Sequence, residues 1–174
     1  MAVPQHREDS ARPRFFDHPE ALLSTVGQIF FEPGKAISKA GLFNTVGEMF
    51  GLAKLGRSTH LYIGTSPVSN VLENTEDSLA GHRETALERD QRHLADFGKC
   101  FRILEVLESG NKSLKYLART YPQAEVTAKN LPISSDALRK KLKCTSGGKI
   151  HIFAVKADTL TGSGSYFFVT EREV

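Results

Sequence analysis

From Phe101 to its last residues the chain switches repeatedly between two hydrophobic periods, and that switching limits the folds open to it. Phe101 to Leu107 (FRILEVL) has the pattern of a half-buried strand. Asn111 stands where a helix cap is wanted, ahead of a helix over Lys112 to Tyr121. At about 100° per residue, Leu114, Leu117, Ala118 and Tyr121 share one face of that helix. Glu125 to Lys129 reads as a second strand. Pro132 and Ser134-Ser135-Asp136 open a second helix, with a hydroxyl cap and an acid in its first turn. Leu138 and Leu142 are its core contacts, and Gly147-Gly148 is expected to close it. Lys149 to Lys156 and Tyr166 to Glu171 then form a hairpin across the turn Thr159 to Ser165. A βαβαββ succession whose helices have one apolar face implies an α+β fold, with the helices on one face of a mainly antiparallel sheet.

The first hundred residues are less regular. Residues 1 to about 20 are polar and broken by prolines, and read as a loose lead-in. Gln28 to Phe31 forms a short apolar strand that Glu32-Pro33-Gly34 ends. A helix is expected over Ala36 to Phe50, tolerating Gly41 and Gly47 at about 1 kcal/mol each, with Gly51 as its C-terminal cap. His60 to Ile63 reads as another short strand. Residues 70 to 96 hold 7 acidic and 3 basic residues and few large apolar ones. They are expected to be a mobile surface insertion, with a weak amphipathic helix near Arg83 to His93.

Charge divides the chain in the same place. Lys99 to Val174 holds 13 Lys and Arg against 7 Asp and Glu, a net +6, while residues 1 to 98 hold 10 against 13, a net −3. A basic module beside a mildly acidic one points to a polyanion, with nucleic acid first. Other chemistries lack their residues. No apolar run approaches the roughly 20 residues that span a bilayer, and the N-terminus has no apolar signal region. Cys100 and Cys144 stand alone, so reduced thiols and a cytoplasmic location are expected. The six histidines have no metal-ligand spacing. No GxSxG elbow accompanies the serines. Glu105 and Glu108 read as solvent-facing or terminal strand residues.

Two groups of cations merit attention as RNA contacts. Lys112, Lys115 and Arg119 share a helix edge at i, i+3 and i+7, where like charges repel and gain no capping benefit. Arg139, Lys140 and Lys143 lie toward a helix C-terminus, which itself favours cations. Lys129 ends the strand between the two helices. Contacts of this kind use phosphates and shape and do not read sequence. The scarcity of exposed aromatics beyond Tyr116 and Tyr166 argues against a stacking platform for single strands.

The stretch from Tyr121 to Val155, with Leu131-Pro132, the run Leu138-Arg139-Lys140-Lys141-Leu142 and Gly147-Gly148, resembles a THUMP-like domain. That domain ends a bacterial class I S-adenosylmethionine-dependent methyltransferase family. Phe31-Glu32-Pro33, Ile37 to Phe43 and His60-Leu61-Tyr62 are similar to the small ferredoxin-like segment preceding it there, and Ala95-Asp96-Phe97 with Phe101-Arg102-Ile103 to the junction. The resemblance covers about Leu23 to Glu173, apart from an insertion near 70 to 94. It implies a lead-in (1–27), a ferredoxin-like segment (28–69), an acidic linker (70–98) and a THUMP-like domain (99–174). The family's catalytic Rossmann domain needs a Gly-rich turn after a strand and an acid on the next strand. Neither is present: Gly162-Ser163-Gly164 sits in a hairpin turn, and no Asn/Asp-Pro-Pro-aromatic motif occurs. The resemblance therefore implies a non-catalytic accessory portion that positions RNA, with no catalytic, cofactor or metal residue of its own. S-adenosylmethionine would belong to the full-length family. The alternatives are a module docking onto a separate Rossmann methyltransferase core, or an inactive truncated remnant.

Overall fold

A computed structural model of the protein describes residues 11–64 and 94–173. The fold is α+β. Eight strands form one sheet: β1 (Arg14–Phe15), β2 (Ile29–Pro33), β3 (Ala53–Lys54), β4 (Tyr62–Gly64), β5 (Gly98–Glu108), β6 (Glu125–Lys129), β7 (Ile150–Asp158) and β8 (Ser163–Arg172). Their order is β1-β3-β4-β2-β5-β8-β7-β6. The pairs β1–β3 and β6–β7 are parallel and the others antiparallel. Helices α1 (Lys35–Ala40) and α2 (Phe43–Met49) follow β2; α3 (Asn111–Thr120) follows β5, and α4 (Ser135–Leu142) follows β6.

The C-terminal part has the βαβαββ order read from the sequence. The surprise lies in β5, which is 11 residues long. Its first half, Gly98 to Arg102, pairs with β2, and Phe101 to Glu108 pairs with β8. The two units are thus joined edge to edge into one sheet, which local periodicity could not reveal.

Three apolar clusters follow from strand alternation. Phe30, Phe101, Ile103, Phe153, Val155, Tyr166 and Phe168 form the first, capped by Leu22, Leu55 and Leu61. On the opposite face, Ile152, Ala154, Phe167 and Val169 are covered by Leu117 of α3 and Leu138 and Leu142 of α4. Ile29, Phe31 and Tyr62 are covered by Ile37 of α1 and Val46 of α2, with Leu94 and Leu52. The first cluster draws residues from both units.

Several local expectations change. The helix expected over Ala36 to Phe50 is two short helices, because Gly41 takes a left-handed conformation (φ 67°) that ends α1. Gly51, also left-handed, follows α2 as expected. Asn111 does not cap α3: Gly110 holds that place, and no side chain caps it. Ser134 does cap α4, accepting from the Ala137 N–H at 3.1 Å. That helix ends at a left-handed Lys143 (φ 53°), and Gly147-Gly148 belongs to the turn before β7. The expected loose lead-in contains ordered chain. Arg14–Phe15 pairs with β3, and a 3-10 helix over Pro19–Ser24 buries Leu22 completely. The acidic stretch, with its expected helix near Arg83 to His93, lies outside the described residues, apart from a buried Leu94 and the helical residues 94–97 leading into β5.

Among the described residues, no helix is long and apolar enough to cross a membrane, and no group of His, Cys, Asp and Glu could hold a metal ion.

Candidate nucleic-acid interface

Helix α3 is anchored by Leu117, which is fully buried, with Leu114 and Tyr121 packed beside it. Lys112, Lys115 and Arg119 lie on its edge, all exposed, and make no ion pair among the described residues. The helix is fixed to the sheet by a carboxylate. A register shift between Ile103 and Glu105 inverts the alternation of β5 and turns Glu105 to the helix-covered face. Tyr116 donates to one of its oxygens at 2.6 Å, and Tyr121 donates to the other. The solvent-facing reading of Glu105 is therefore corrected, whereas Glu108 is exposed at the strand end. Both tyrosine hydroxyls are pushed above their ordinary pKa: Tyr116 first by its hydrogen bond to Glu105, Tyr121 first by burial.

Helix α4 packs beside α3 and over β6. Lys140 and Lys143 are exposed. Arg139 is partly neutralised by Asp136, one turn earlier, at 3.1 Å. Lys129 stands apart from the other six residues. Val126 and Ala128 pack under the helices, so alternation sends Thr127 and Lys129 to the opposite face. There Lys129 adds to the field around His60 of the first unit. The seven residues singled out in the sequence are thus divided between the two faces of the sheet.

That second face holds polar groups that no local pattern marks. The segment from Leu55 to Leu61 lies across it, with Leu55 and Leu61 in the first cluster. Asn130, left-handed at φ 53°, donates Nδ2 to Thr59 Oγ1 at 2.8 Å, and Thr59 donates to the Lys156 carbonyl at 2.8 Å. His60 stacks on Phe43 with centroids 3.6 Å apart. Its pKa is lowered by partial burial, then by Lys54 and Lys129. Thr59 and Asn130 are 71 residues apart in the chain, and Thr59 and Lys156 are 97 apart, so sequence spacing offers no signal for them.

His151 packs on the rings of Phe101 and Phe153 and is 2.7 Å from Thr127 Oγ1. Burial pushes its pKa down to about 4, against a smaller upward pull from Glu125. A depressed histidine pKa means that the folded state binds fewer protons than the unfolded one. The stabilisation is present above the ordinary value of about 6.5 and is lost as pH falls through about 4. Native stability is expected to decline across that window, and His151→Gln should flatten the decline in urea unfolding at pH 7, 5.5 and 4.5. An unchanged pH profile would show that other groups govern it. Burial also raises the Cys100 thiol to about 11, so it is a poor nucleophile near neutrality.

The described strand-to-helix turns are each closed by groups of the chain itself or by its own turn residues. Gly34, after β2, is taken up by the Phe97 carbonyl, which accepts its N–H at 2.8 Å. The turn after β5 is Ser109-Gly110, and the turn after β6 carries Pro132 and the Ser134 cap.

Comparison with known proteins agrees with this architecture. Residues 98–172 match the family described as THUMP domain-like. Residues 30–71 match the family described as a ferredoxin-like domain. No curated protein matches the chain. A crystal structure from Porphyromonas gingivalis W83, of a protein provisionally assigned as a methyltransferase, is similar with a TM-score of 0.65 at 22% identity. The match covers 100% of this chain and 36% of that one, so the present chain spans about a third of its length. At that identity the likeness establishes the fold.

Proposed function

We propose that this chain is the RNA-recognition and positioning portion of an S-adenosylmethionine-dependent methyltransferase acting on RNA, and that it is not itself catalytic. The observation carrying this reading is a row of exposed cations, Lys112, Lys115 and Arg119, with no ion-pair partner among the described residues, on the outer layer of a region matching the THUMP domain-like family. THUMP domains bind RNA. Lys140 and Lys143 extend the surface on α4, Arg139 contributes what Asp136 leaves of its charge, and Lys129 serves the opposite face. The cofactor and its Rossmann domain belong to residues outside this chain, in line with its coverage of about a third of the longer Porphyromonas gingivalis protein. Its place of action is the cytoplasm.

Phosphate contacts release counterions, so binding to a structured, tRNA-like RNA should fall steeply with salt. About four contacts give a slope of log K against log salt of roughly −3 to −4. Replacing Lys112, Lys115 and Arg119 by Ala should flatten the slope by about one for each phosphate no longer neutralised. Thermal stability should be unchanged, since none of the three side chains is buried. Anisotropy at two salt concentrations, on tRNA-like and on single-stranded RNA, measures this. Absence of binding by the wild type at low salt would leave docking onto a separate methyltransferase core as the better reading.

A further inference from the structure

We propose that the seam between the two units is a second RNA contact, where Arg57 and His60 of the first unit and Lys129 of β6 hold a phosphodiester of the same RNA. This rests on the RNA reading above and adds a site on the other face of the sheet. All three side chains are exposed, and none has an ion-pair partner among the described residues. The site is held from both sides. The Asn130–Thr59–Lys156 hydrogen-bond chain, at 2.8 Å per link, pins the 55–61 segment to the C-terminal ends of β6 and β7. The Asp158 N–H donates to the Leu55 carbonyl at 2.8 Å. Phe43 fixes one face of the His60 ring.

Among the described residues, the charges that shift His60 are those of Lys54 and Lys129, both positive. Lys54 donates to the Arg57 carbonyl at 3.1 Å and lies 5.9 Å from the Phe43 ring centroid; it and Lys129 both disfavour the imidazolium. Among the described residues an acid, Asp158, also lies here, its carboxylate against Gly56. Lys129 ends β6 and Arg57 belongs to the 55–61 segment, so the cations come from both units, and a field of their sign favours an anion. A phosphodiester reverses the local field, and the neutral imidazole can donate a hydrogen bond to it. Because the site uses residues of both units, the RNA it holds passes across their junction, and an RNA touching α3 as well passes around the β6 edge.

The test uses the whole chain and a structured RNA hairpin. Arg57→Ala with Lys129→Ala should weaken binding about tenfold at low salt and flatten the salt slope by roughly two. Lys35→Ala with Lys39→Ala, which removes two exposed charges from α1, should change it less than about twofold if charge position matters and not net charge alone. Equal losses in the two pairs would overturn the seam site. An independent readout is the His60 proton resonance, assigned with His60→Gln: saturation with the hairpin should raise its pKa, and a pKa that does not rise overturns the proposal. If the Lys112, Lys115 and Arg119 variant loses affinity while the seam variant does not, the seam fails and the RNA reading survives. No binding by the wild type removes both.

Discussion

Phe168→Ala is expected to lower the free energy of unfolding by about 3–5 kcal/mol and to do so equally in both units. Phe168 is fully buried on β8, in the C-terminal unit. Its ring centroid lies 5.2 Å from that of Phe30, on β2 of the first unit, and Phe30 stacks on Phe153 at 4.5 Å. Truncation removes an aromatic side chain from a cluster that neither unit completes alone. Against a total stability of about 5–15 kcal/mol for a protein of this kind, the loss is severe. Urea unfolding followed by circular dichroism gives the magnitude. Amide exchange gives the cooperativity: β4 and β7 should lose protection by the same amount. If β7 alone is affected, the two units are separate folding domains. By the same logic, a chain beginning at Gly98 would leave Phe101, Phe153 and Phe168 without their cover and should bind a hydrophobic dye.

The second large effect is expected from Gly98→Ala. An added Cβ would overlap the Glu32 carbonyl oxygen and sit 2.8 Å from the Phe31 ring. Neither neighbour can move cheaply. Glu32 belongs to the strand paired with β5, and Phe31 is fully buried. The β2–β5 pairing must open, at a cost of about 3 kcal/mol. Gly110→Ala is the control, because nothing lies within 4 Å of its added Cβ and its φ of 169° is ordinary extended backbone. That substitution should stay within about 0.5 kcal/mol. Equal effects at the two glycines would mean that backbone freedom, and not the close approach of β2, is what matters at Gly98.

Much of the C-terminal unit is legible in the sequence because its signals are local. The strand and helix periods from Phe101 onward, the Ser134 cap and the exposure of Lys112, Lys115 and Arg119 all depend on residues within two turns of each other. What the sequence hides depends on distance. The fusion of the sheets through β5 requires Phe31 to find Cys100, and a strand with two partners carries no more local pattern than a strand with one. The role of Glu105 is hidden by one irregularity in register, which turns a polar position inward between two tyrosines. Gly41 has the look of a tolerated helix residue, whereas its left-handed backbone ends α1, and both short helices contribute to the cluster of Ile29 and Phe31. The division of the cations is partly readable: Val126 and Ala128 as core imply that Lys129 points the other way. The partner it meets there, His60, is not.

A shared strand also acts as a ruler. Two units joined by a flexible linker would sample many separations, and whatever held one would only loosely place the other. Here β5 runs through both, and its 11 residues at about 3.3 Å each span roughly 36 Å of hydrogen-bonded ladder. A partner gripping α1 and α2 would therefore set the reach and the angle of α3 without touching it. Lengthening β5 by two residues keeps the inward and outward alternation and moves α3 outward by about 7 Å. Lengthening it by one residue inverts a face. Unless a bulge takes up the odd residue, as between Ile103 and Glu105, reach in such an arrangement changes in steps of two residues.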